Sequence, residues 1–84
     1  MIYKIFFKPS ALKELDKIPE VFARKILNKI NELKNNPKPP KSKKLENIDG
    51  FRIRIGEYRV IYITDDSAKE IRIMAIGHRK DIYR

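Results

Sequence analysis

Eighty-four residues suit one domain with a single modest core, and the absence of cysteine excludes disulfides, zinc–thiolate sites and thiol nucleophiles. Twenty lysines and arginines against eleven acidic residues leave a net charge of +9, which favours a polyanionic partner, nucleic acid ahead of an acidic membrane surface. No apolar run approaches the roughly 20 residues of a membrane span, and the first residues lack a signal-peptide layout, so the chain is expected in the cytoplasm with no membrane partner.

Ile2-Tyr3-Lys4-Ile5-Phe6-Phe7 is apolar on both faces apart from Lys4 and reads as a strand inside a sheet rather than at a bare edge. Pro9 and Ser10 signal a helix start, and Leu12, Leu15 and Ile18 recur at helical spacing. Pro19 can end that helix and sit in the first turn of a second. Phe22, Ile26, Ile30 and Leu33, flanked by Ala23 and Leu27, give the second helix its apolar stripe, and Asn35-Asn36-Pro37 stops it. Arg24, Lys25 and Lys29 fall off the stripe, on a solvated face. Two helices so closely joined should pack antiparallel with their stripes on a sheet.

The segment from Asn36 to Lys44 is stiffened by prolines and basic, and it predicts an extended, solvated connector that either serves only as a link or touches phosphate through Lys43 and Lys44. Asp49-Gly50 then launches an alternating stretch, Phe51 to Ile55, which breaks at Gly56-Glu57 and resumes from Tyr58 to Ile63. A two-residue turn with glycine first suits type II′ geometry. That turn pairs Ile55 with Tyr58, Arg54 with Arg59, Ile53 with Val60 and Phe51 with Tyr62. Phe51, Ile53, Ile55, Tyr58, Val60 and Tyr62 therefore share one face, and Arg52, Arg54 and Arg59 the other. Like charges directly opposite destabilise a hairpin, and an anionic ligand across that face would offset the cost.

Asp65 to Lys69 reads as a five-residue turn, Glu70 to Gly77 as the next antiparallel strand, and His78 to Arg84 as a polar tail. With Thr64 opposite Glu70, residues Ile71, Ile73, Ala75, Gly77 and Arg79 join the arginine face. Ile61, Ile63, Ile71 and Ile73 would then form an apolar patch at its far end, either a partner site or a surface covered by the N-terminal strand and tail. Alternation turns His78 away from Arg79. Asp65-Asp66 has no histidine or cysteine beside it and reads as a turn, and no glycine-rich phosphate loop is present, so neither metal nor cofactor is assigned. Tyr3, Tyr58 and Tyr62 fall on apolar faces and read as core.

The order strand, two helices and three antiparallel strands, with Gly56-Glu57-Tyr58-Arg59 in the hairpin and Gly77-His78-Arg79-Lys80-Asp81-Ile82-Tyr83 at the end, resembles the RelE/ParE toxin superfamily over essentially the whole chain, 1–84. The two motifs are specific together and weak apart. The resemblance implies an α+β, RelE-like domain: an N-terminal strand, an antiparallel helix pair and a three-stranded meander in one sheet with a short tail. On the RelE side it implies a toxin of a type II toxin-antitoxin system, a metal-independent endoribonuclease that cuts mRNA on the ribosome and is held by a cognate RelB-like antitoxin. On the ParE side it implies a DNA gyrase inhibitor, and a non-catalytic basic RNA-binding protein is the third reading.

Carried over residue by residue, the resemblance implies catalytic roles for Arg52, Arg54, Arg59, Arg79 and Tyr83. Arg59 and Arg79 would stabilise the phosphorane, and Tyr83 would orient the neighbouring base. His78 and Lys80 join Lys43 and Lys44 as weaker RNA contacts. Family members often carry lysine at the positions of Arg52 and Arg54, and arginine does not surrender its proton. Either Arg52 and Arg54 only hold phosphate and lower the pKa of the ribose 2′-hydroxyl electrostatically, or another group accepts its proton: His78, Lys80, Glu57 or one supplied by the ribosome and mRNA.

Overall fold

Alternation puts Ile5 and Phe7 on one side of the first strand and Lys4 and Phe6 on the other, and the computed structural model, which describes residues 2–39, 42–45 and 50–78, follows that division. The elements run β1 (Lys4–Phe7), α1 (Pro9–Asp16), α2 (Glu20–Glu32), β2 (Lys43–Lys44), β3 (Gly50–Ile55), β4 (Tyr58–Asp65) and β5 (Glu70–His78). They form a five-stranded sheet in the order β1-β5-β4-β3-β2. The antiparallel meander β3-β4-β5 is present as expected, and β1 adds to it in parallel with β5.

Two expectations are corrected here. β1 stands at the edge of the described sheet, paired only with β5, rather than inside it. Its second apolar face reflects Phe6, 42% exposed, whose ring lies under the Arg72 guanidinium. The basic connector is also more than a solvated link, because Lys43 and Lys44 pair with Arg52 and Phe51 as an added strand.

Pro9 opens α1 at a position where its missing N–H costs nothing, but Lys8 rather than Ser10 is the N-cap residue. Pro19 both follows α1 and caps α2. α1 lies over β5 and α2 over β3. Their buried residues, Ala11 and Leu15 from α1 and Ile26 and Ile30 from α2, meet Ile53, Val60, Tyr62, Ile71, Ile73 and Ile76 of the sheet in one core that Leu33 closes. Leu12 and Leu27 lie at the stripe margins and stay largely exposed, as does Phe22, whose ring meets Tyr58 at 5.6 Å.

The β3–β4 register matches the sequence expectation at every predicted pair. Gly56 has φ +59 while Glu57 stays at negative φ, the type II′ pattern. A Cβ at Gly56 would touch nothing within 4 Å, so only backbone strain opposes a side chain there. Gly56→Ala should therefore cost about 1 kcal/mol, read as a lower urea midpoint, and an unchanged midpoint would mean that the turn relaxes into another form. At Gly50 the reason for glycine is different. Its Cβ would stand 3.1 Å from the Tyr62 carbonyl oxygen and 3.2 Å from Leu45 Cδ1.

The β4–β5 register departs from expectation. Asp65, not Thr64, faces Glu70, and Thr64 faces Ile71. The ladder then slips between Ile61 and Tyr62: Tyr62 faces Ile73 while Ile61 faces Ala75, which leaves Met74 as the extra residue of a bulge. This flips the first half of β5. Ile71 and Ile73 enter the core fully buried, beside Ile76, so the expected four-isoleucine patch does not exist. Ile61 and Ile63 alone remain on the open face, half-buried. Beside the bulge the Ile76 amide donates to Glu14 Oε1 of α1 at 3.4 Å.

Tyr62 is completely buried, and its hydroxyl donates to the Pro37 carbonyl oxygen at 2.7 Å. Burial pushes that hydroxyl's pKa up, with a bond to Ser42 acting in the opposite direction. Phe51 stacks on the Tyr62 ring at 5.7 Å, and Lys38 covers Phe51 at 5.5 Å, so the segment after α2 is pinned to the sheet. At the β4–β5 turn, Asp65 Oδ1 accepts the Ala68 amide, and Asp66 accepts the Tyr3 hydroxyl at 2.9 Å. That hydrogen bond, helped by Lys38 and Lys69, lowers the Asp66 pKa. Among the described residues no helix is long and apolar enough to cross a membrane.

Candidate nucleic-acid interface

The helices cover one face of the sheet, and strand alternation sends the remaining side chains to the other. On that open face the register builds two rungs. Arg54, Arg59 and Gly77 form one, across β3, β4 and β5. Lys43, Arg52, Ile61 and Ala75 form the other, across β2 to β5. Residues paired across such a ladder have Cβ atoms about 5 Å apart, and alternate residues along a strand lie about 7 Å apart. Four cations thus fall within the span of one or two nucleotide phosphates, and the small residues Ala75 and Gly77 leave space beside them.

Exposure grades across the rungs. Lys43 and Arg54 are exposed, Arg52 is half-buried, and Arg59, in a central strand, is only 8% exposed. A guanidinium is enclosed at a cost unless other groups engage it, and both Arg59 and Arg52 take part in such interactions. An enclosed, fixed arginine is preorganised: its planar fork can meet two phosphate oxygens without first being ordered. Arg54 also borders a cleft of about 510 Å³ along the β3 edge beyond β2, lined by Lys29, Leu33, Asn35 and Pro39 among others.

Of the residues singled out in the sequence, Arg52, Arg54, Arg59 and Lys43 come together here. Lys44 pairs with Phe51 and so belongs to the helix side. His78 pairs with Tyr58 and meets its ring edge-on at 5.8 Å, which places it across the sheet from Arg59. Arg79, Lys80 and Tyr83 lie outside the described residues. Sequence reasoning missed Arg72 and Phe6. With Thr64 opposite Glu70, Arg72 would have faced the helices. The slip at Met74 brings it to the open face opposite Ile63 and Phe6. An unexplained arginine between two isoleucines was the available signal.

Known proteins resemble this chain in sequence and in fold. The profile of the family described as ParE toxin of type II toxin-antitoxin system, parDE, matches residues 5–83. Toxin RelG of Mycobacterium tuberculosis is 31% identical over 86 residues, spanning 100% of this chain and 99% of its own. Among solved structures, the toxin-antitoxin complex RelBE2 from Mycobacterium tuberculosis contains a chain that superposes with a TM-score of 0.84 at 26% identity, covering 94% of this chain and 100% of that one. A chain of the archaeal RelE-RelB complex from Pyrococcus horikoshii OT3 gives 0.80 at 27% identity, with 94% and 97% covered.

Proposed function

Because this chain belongs to the RelE/ParE superfamily of toxins from type II toxin-antitoxin systems, we propose that it is a RelE-type endoribonuclease that cleaves mRNA on the ribosome. The observation that carries this reading is the pairing of Arg54 with Arg59 on the open face, with Arg52 and Lys43 on the adjoining rung. A sheet that sets like charges opposite one another is arranged for an anion.

In-line attack of a ribose 2′-hydroxyl on the adjacent 3′-phosphate forms a 2′-O–P bond and breaks the P–O5′ bond. It leaves a 2′,3′-cyclic phosphate and a 5′-oxygen that takes its proton from the ribosome–mRNA assembly. The phosphorane between gathers negative charge, which fixed guanidinium groups stabilise without any metal. Arg59 and Arg79 take this role, Arg52 and Arg54 hold the flanking phosphates, and Tyr83 orients the base. Gly77 pairs with Arg59 and precedes Arg79 by two residues, which supports a shared site. Arginine does not accept the hydroxyl's proton. We assign the proton acceptor to the ribosome–mRNA assembly, which makes the enzyme ribosome-dependent. A RelB-like antitoxin, like those in the complexes containing the structural neighbours, is the partner that silences it, and the cytoplasm is where both operate.

Purified protein incubated with programmed ribosomes should yield mRNA shortened within the occupied site, read by primer extension. Intact mRNA would overturn the nuclease reading. The family profile is described as that of a ParE toxin, which favours gyrase inhibition as the second reading. Loss of gyrase supercoiling activity in the presence of the protein would establish it.

A further inference from the structure

The open face continues beyond the two basic rungs. Toward the β1 edge it presents Phe6, a residue 42% exposed, with the Arg72 guanidinium 5.6 Å from the ring centroid. Arg72 is itself oriented by Glu70, at 3.7 Å. Neither residue supports the core, which lies on the other side of the sheet. We infer that Phe6 and Arg72 form a stacking platform for one base of the same RNA strand whose phosphates lie on Arg54 and Arg59. The inference rests on assigning this face to single-stranded RNA.

Three observations favour a nucleobase there. An aromatic ring and a guanidinium plane are the two side-chain surfaces on which unpaired bases stack. Glu70 offsets the charge of Arg72, so the pair offers a flat surface more than a phosphate clamp. Position also fits, because the platform is continuous with the basic rungs on the same sheet face. From Gly77, which is paired with Arg59, to Arg72 is about 15 Å along β5, within reach of a strand occupying a site of roughly four nucleotides. Ile61 and Ile63 form the half-buried apolar floor between the two ends.

The test is direct binding without ribosomes. Short single-stranded RNAs carrying 2-aminopurine at each position in turn are titrated with the purified chain at low salt. One position should be quenched on binding by the wild-type protein. Phe6→Ala should abolish that quenching and weaken binding about tenfold, while Phe6→Tyr should retain both. Arg72→Ala should weaken the same quenching without moving it to another position. Unchanged quenching and affinity in Phe6→Ala, or the absence of a quenched position with wild-type protein, would overturn the platform. So would an antitoxin affinity that falls in Phe6→Ala while RNA quenching persists, since the ring would then belong to a protein interface. The ribosome cleavage assay reports separately: a protein that stacks RNA but leaves mRNA intact would remove the nuclease reading alone.

Discussion

Arg59→Ala should lower single-turnover mRNA cleavage on programmed ribosomes by about 10²–10³-fold, the usual consequence of losing one preorganised donor to a transition-state anion. Arg59 is the enclosed arginine of the open face, held between Arg54 on β3 and Gly77 on β5. Arg59→Lys should recover only part of the loss, since an ammonium keeps the charge and gives up the planar fork. The fold should survive either change, because Arg59 lies outside the apolar core and the repulsion relieved by removing one of two like charges paired across a ladder offsets part of the interactions lost. Circular dichroism checks that point. A cleavage rate near that of the wild type in a folded Arg59→Ala protein would take the central arginine out of the chemistry.

Tyr62→Ala should destabilise the protein by about 3–5 kcal/mol, the cost of emptying a large aromatic site in a core. Against a typical small-domain stability of about 5–15 kcal/mol, such a variant stands near the limit of folding. Tyr62→Phe separates packing from hydrogen bonding. It keeps the ring on Phe51 and loses the bond to the Pro37 carbonyl oxygen, so about 1 kcal/mol is expected. Urea unfolding measures both, and equal losses in the two variants would show that the hydroxyl, not the ring, is what the core requires. The Phe variant also bears on the interface, because the segment released at Pro37 leads into β2 and Lys43.

The legible and illegible parts of this chain divide between what a local period fixes and what a strand neighbour fixes. The helix stripes were readable because period 3.6 places Ile26, Ile30 and Leu33 on one side whatever they pack against. The sheet face of Lys44 was not readable for the opposite reason, whereas alternation already turned His78 away from the arginine face. The charge of Lys44 was visible, but the face it occupies depends on its strand partner, Phe51. The role of β1 depended on how many neighbours it has, which no local pattern contains.

By itself the sequence determined the β3–β4 hairpin, its type II′ turn at Gly56-Glu57 and the gathering of Arg52, Arg54 and Arg59 on one face. A two-residue turn fixes register, and period-2 alternation does the rest. Only the tertiary structure decided the course of β5. The slip at Met74 lets Ile71, Ile73 and Ile76 all reach the core under α1, which unbroken alternation forbids, since Ile73 and Ile76 are three residues apart. The same slip turned Arg72 outward beside Phe6, so a demand of core packing set the far end of the proposed RNA-binding face.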